Sequence, residues 1–120
     1  MTPENESAYR LVVSRTGDRG MLRQVFVHRA GHCAFTPAET ITAARTLLDR
    51  LRTGRWDGAA LRPASLNRRA GALSPWYNVF LEPGGKPQPA VPAFTRYRPP
   101  PFLRPFSRPA NGGRPAPRAQ

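Results

Sequence analysis

A chain of 120 residues suffices for one domain with one modest core, and its single cysteine, Cys33, excludes an internal disulfide and any paired-cysteine metal or redox motif. Nineteen basic residues against seven acidic ones give a net charge of +12, which makes non-specific polyanion binding a standing expectation. Eighteen of the nineteen are arginine, however, and Ala, Arg, Gly and Pro make up about half the chain, the composition that GC-rich codons produce without selection for a polyanion surface. No apolar run approaches the length of a membrane span, and Met1 is followed by the polar, acidic TPENESAYR, where a signal peptide would be basic and then apolar. As written, the chain reads as cytoplasmic.

Residues 4–15, ENESAYRLVVSR, space apolar residues at Ala8, Leu11 and Val12, with Thr2 and Pro3 suited to N-cap and N1 and Gly17 placed as a stop. The spacing predicts a helix. After the GDRG turn comes LRQVFVH, residues 22–28, in which Val25, Phe26 and Val27 are consecutive. A strand apolar on both faces belongs inside a parallel sheet covered on both sides, and nothing else in the chain reads as a neighbour for it.

The next element is the best specified. Thr36, Pro37, Ala38 and Glu39 make a capping box with proline at N1. Ile41, Ala44, Leu47, Leu48 and Leu51 form an apolar stripe, Arg50 and Arg52 sit where a last turn favours positive charge, and Gly54 follows. A helix over about 37–52 is expected, with the Ile41 to Leu51 stripe turned to the core. Beyond TGRW the pattern weakens: a short helix around Ala64–Ala72 and an extended piece over 76–83 are the only suggestions. Eleven of the fifteen prolines lie from Pro83 onward, in a stretch with seven basic residues and no acidic one, which reads as extended or disordered. Three segments follow: a helix-strand-helix unit over 1–56, a weakly structured extension over 57–82, and a Pro/Arg-rich tail over 83–120.

The stretch HRAGHCAFTPAE, residues 28–39, concentrates both histidines and Cys33. As a metal site it is weak, because Gly31 and the capping box make it loop, where the spacing of four between His28 and His32 has no helical meaning; no metal or cofactor is expected. His28 reads as a strand-end residue and Cys33 as a small packing residue. His32 is different: a strand, a short loop with a histidine and a capped helix is how an α/β-hydrolase presents the last member of its Ser, Asp/Glu, His triad. Such a histidine takes the serine proton on one ring nitrogen while a carboxylate holds the other.

YRLVV, LRQVFVHRAGHCAFTPAE, LLDRLRTGRW and the distal PFLRP resemble the C-terminal end of a group of bacterial, often secreted, α/β-hydrolases. The resemblance covers most of residues 8–56, with fainter echoes at 66–73 and 102–105. It implies a partial α/β-hydrolase fold and makes His32, in the motif GHC, the triad base. It also implies an extracellular location if the chain is the tail of a longer secreted hydrolase. No serine has a G-x-S-x-G setting, and only Ser7 and Ser14 precede His32, both on the predicted first helix. The chain alone is therefore not expected to hydrolyse anything, and the partner the resemblance implies is the missing N-terminal part of the hydrolase. Two other readings stay open. The first is a small basic binding protein for nucleic acid or an acidic partner, with Arg96, Tyr97 and Arg98 alternating charge and ring. The second is a polyproline ligand at RYRPPPFLRP.

Overall fold

A computed structural model describes residues 3–31, 34–80 and 85–101. It divides into two compact units, one of which is Arg23–Arg98 and the other of which contains the N-terminal segment up to Leu22.

In the N-terminal unit, helix α1 spans Pro3–Arg15, with Glu4 and Glu6 in its first turn and Arg15 in its last, each charge favourably placed against the helix dipole. Gly17 takes φ +87, the left-handed conformation that ends a helix cheaply only at glycine. The expected cap, Thr2, lies outside the described residues. Tyr9, Leu11 and Val12 of α1 are exposed.

The Arg23–Arg98 unit is assembled from β1 (Phe26–Val27), α2 (Pro37–Thr53), α3 (Pro63–Gly71), a 3-10 turn over Pro75–Tyr77, β2 (Val79–Phe80), β3 (Gln88–Pro89) and β4 (Phe94–Thr95). The strands form two antiparallel pairs. β1 lies against β4, with Phe26 opposite Thr95 and Val27 opposite Phe94, and β2 lies against β3. The parallel setting expected for 22–28 is thus replaced by an antiparallel one, and the strand is shorter and only half-buried. Its partner comes from the segment expected to be an irregular tail. Phe94 is buried with Ala38, Leu66 and Ala70, and Val27 and Leu73 pack against that cluster, so residues 88–95 supply core and strand rather than trailing in solvent. Prolines at 87, 89 and 92 hid this, because proline argues against a strand although edge strands and strand ends tolerate it.

β4 is held on two sides. His28 N–H donates to the Ala93 carbonyl at 2.8 Å on the β1 side. The Asn67 side chain, from α3, donates to the Phe94 carbonyl at 3.0 Å and accepts from the Phe94 N–H at 2.7 Å, so one amide group satisfies both backbone groups of a buried residue as a neighbouring strand would. Asn78 likewise closes the end of α3 by donating to the carbonyls of Ala70 and Leu73.

α2 begins at the expected capping box: Thr36 Oγ1 accepts from Glu39 N–H at 3.2 Å and Glu39 accepts from Thr36 N–H at 2.9 Å. It ends at Gly54, φ +72, whose N–H donates to the Arg50 carbonyl. The rotation of the helix is the correction. Its buried residues are Ala38, Glu39, Thr42 and Thr46, while Leu47, Leu48 and Leu51 are 50%, 56% and 69% exposed. At about 100° per residue the two sets lie on opposite sides of the helix. The expected stripe faces outward, and a small-residue face meets α3.

Candidate functional site

The segment from β1 to the start of α2, which carries the histidine expected to be catalytic, is braced by one ion pair. Arg29 donates to Glu39 Oε2 through Nη1 at 2.6 Å and to Oε1 through Nη2 at 2.9 Å, the bidentate geometry in which a guanidinium and a carboxylate bind most strongly. Glu39 is 1% exposed and Arg29 14%. Each partner has further work. Arg29 Nη1 also donates to the Ala34 carbonyl at 2.8 Å and Nη2 to the Val91 carbonyl at 2.9 Å. The Glu39 oxygens accept in addition from the amides of Ala93, at 2.8 Å, and Thr36.

Three sequence-distant segments therefore meet at one carboxylate: the loop after β1, the first turn of α2 and the stretch before β4. Burial raises the carboxyl pKa of Glu39, but the Arg29 hydrogen bond, the amides of Thr36 and Ala93 and the Arg29 charge together outweigh it and hold the group below its ordinary value of 4.5. The carboxylate is ionised and fully used. It has no free lone pair with which to orient a catalytic imidazole, so Glu39 is a brace and not a triad acid.

His32 and Cys33 themselves lie outside the described residues. Their flanks are well defined. The Arg29 side chain reaches across to the Ala34 carbonyl, so the described residues on the two sides of 32 and 33 are tied together. Gly31 takes φ +110, and a Cβ there would meet the Ala34 methyl at 3.4 Å and approach the Phe80 ring at 4.0 Å; a side chain at 31 would be strained on backbone grounds alone. Arg29 stands 5.9 Å from the centre of the Phe80 ring, a cation–π distance. His28 is exposed at the end of β1, and what it contributes to the fold is its backbone N–H.

The other described carboxylates of this unit are also engaged. Asp49 lies 3.6 Å from Arg52 and 3.5 Å from Arg69, and Asp57 accepts from the amides of Ala59 and Ala60, which depress its pKa. Among the described residues no group of three or more His, Cys, Asp or Glu side chains could hold a metal ion. Arg29 is the residue that sequence reasoning missed. Its only signal is a basic residue ten positions before a capping-box glutamate, a pairing that sequence spacing does not single out in a chain with eighteen arginines.

No family model matches the chain, and no solved structure matches it. A 64-residue stretch is 36% identical to o-phthalyl amidase from Xanthobacter agilis. Over that stretch the chain is similar to part of a protein with a hydrolase name. The match covers 53% of this chain and 14% of the amidase, so the chain spans a small fraction of the relative's length.

Proposed function

We propose that this chain is the C-terminal part of a serine hydrolase of α/β-hydrolase type, in which His32 is the triad base and the nucleophile, acid, oxyanion hole and most of the sheet are supplied by a preceding body. The observation that carries the reading is the 64-residue likeness to part of an amidase, on a chain whose GHC stretch matches the triad-histidine motif of such enzymes. Two structural features support it. The described flanks of residue 32 are joined through a buried ion pair, Arg29 bonding both the Ala34 carbonyl and Glu39, and a proton-transferring side chain needs rigid support of that kind. The leucine face of α2 is left in water, as it would be if the surface it packs against belonged to the rest of an enzyme.

In that setting His32 would accept the serine proton as the nucleophile attacks an acyl carbon and return it to the leaving group. The described carboxylates of the Arg23–Arg98 unit are committed elsewhere, so the acid that orients the imidazole would come from the body. An amide substrate is the class suggested by the relative's name, and the acyl pocket would be built by residues outside this chain.

The test is to translate the genomic DNA upstream of the Met1 codon in all frames and express the extended polypeptide. The reading expects a strand followed by G-x-S-x-G, hydrolysis of a chromogenic amide or ester by the extended protein, loss of about three orders of magnitude or more in kcat for His32→Ala, and no turnover by the 120-residue chain. Several hundred bases without such an element would remove it and make the basic binding protein the leading reading. That alternative rests on net charge. Its stacking candidate, Tyr97, sets its ring edge-on against Phe26, with centroids 5.4 Å apart at 70°, and remains exposed.

A further inference from the structure

Beside the β1–β4 pair lies a cleft of about 300 Å³ whose lining includes neither Arg29 nor Glu39. Leu66 and Phe94 are among the residues lining it and are almost fully buried. Phe26 and Tyr97, packed edge to face, contribute aromatic wall. Arg62 and Arg96 also line it, and both are exposed. Neither guanidinium has a carboxylate within ion-pair distance among the described residues; the side chains that neutralise arginines in this unit, Glu39 and Asp49, belong to Arg29, Arg52 and Arg69.

We propose that this cleft binds a small aromatic carboxylate, the ring seated against Phe94 and Tyr97 and the carboxylate held at the mouth by Arg62 and Arg96. Two features select the class. Guanidinium groups favour planar anions that accept two parallel N–H bonds, and an apolar, aromatic floor rewards a ring over an aliphatic acid. The volume is at the lower end for a ligand site, which suits one ring and is too small for a nucleotide. The proposal rests on this cleft alone and stands or falls separately from the hydrolase reading.

The experiment titrates the full chain with benzoate, followed by calorimetry and by amide shifts of residues 24–26 and 94–97, with acetate and benzamide as controls for the charge and the ring. Saturable one-to-one binding of benzoate is expected, with acetate and benzamide each at least about tenfold weaker, since a lost charge-assisted contact or a lost buried ring is worth on that order. Arg62→Gln and Arg96→Gln should each weaken benzoate about fivefold to tenfold. Both sites are exposed, so an unchanged urea midpoint is expected and shows that the loss is one of binding. Acetate binding as well as benzoate, affinity unaltered in both variants, or no saturation with benzoate would each overturn the proposal. So would displacement of the amide shifts only by a single-stranded oligonucleotide, which would assign the arginines to nucleic acid.

Discussion

The two faces of α2 were built by different forces. On one, Ala38, Thr42 and Thr46 are small, and Glu39 is charged, yet this is the face that lies inward against α3. On the other, Ala44, Leu47, Leu48 and Leu51 offer the larger apolar area and remain in solvent. The inward face wins because Glu39 can satisfy its carboxylate at one place only, where Arg29 and the amides of Thr36 and Ala93 converge, and because alanine and threonine let α3 approach closely at Ala70. Turning the helix to bury the leucines would give up the bidentate pair and the Ala93 contact and leave the largely buried Arg29 without its counter-charge, a cost of several kcal/mol. Exposing three leucines forgoes about 1.5–3 kcal/mol apiece at most, an amount that a covering surface would restore.

The sharpest way to break this contrast is Arg29→Ala. It leaves Glu39 buried with only the amides of Thr36 and Ala93 donating to it and its counter-charge gone, and a loss of about 3–5 kcal/mol in urea-unfolding free energy is expected. A loss below about 1 kcal/mol would mean the brace does not fix the helix. The same pair sets a pH dependence. Because the folded Glu39 carboxyl lies below its ordinary value of 4.5, its contribution is fully present above that value and is lost as the pH falls through the folded pKa. Unfolding curves between pH 6 and pH 3 should therefore show declining stability, and in Glu39→Gln the decline should be shallower.

A smaller effect is expected at Asn67→Ala, which uncovers the N–H and C=O of the buried Phe94. A loss of about 1–3 kcal/mol follows from leaving such groups unpaired, together with faster hydrogen exchange of the Phe94 amide. The smallest effect on folding belongs to the outward face. Leu48→Lys with Leu51→Lys should change stability of the chain by no more than about 0.5 kcal/mol and lower its self-association in sedimentation. In the extended enzyme of the proposed reading, the same pair should reduce activity by weakening the packing of α2 on the body. A large loss of stability in the isolated chain would show instead that the leucines are core after all.

Element bounds were legible where the signals are local. The capping box and Gly54 place α2 to within a residue, Pro63 starts a short helix near the expected one, and Gly17 follows α1, because caps and breakers act through hydrogen bonds and φ angles within a few residues. The expected strand at 22–28 was legible as apolar chain but not as to its partner. A run of Val25, Phe26 and Val27 suggests burial on two sides, whereas β1 pairs through two residues only and one of its faces is closed by Phe94. The strand and the capped helix start on either side of residues 32 and 33 were legible; the arginine that ties those two flanks together was not.

The chain by itself determined where its helices start and stop, that it carries a large positive charge, and that its only two histidines and its cysteine fall within residues 28–33. Which face of α2 turns inward, which segment pairs with β1, and why residues 91–95 are structural were decided by tertiary contacts: Arg29 meets Glu39 across ten residues and Val91 across sixty-two, and Asn67 meets Phe94 across twenty-seven. Local signals report hydrogen bonds closed within a turn or two, whereas a buried charge reports its partner only after the chain has brought the two together.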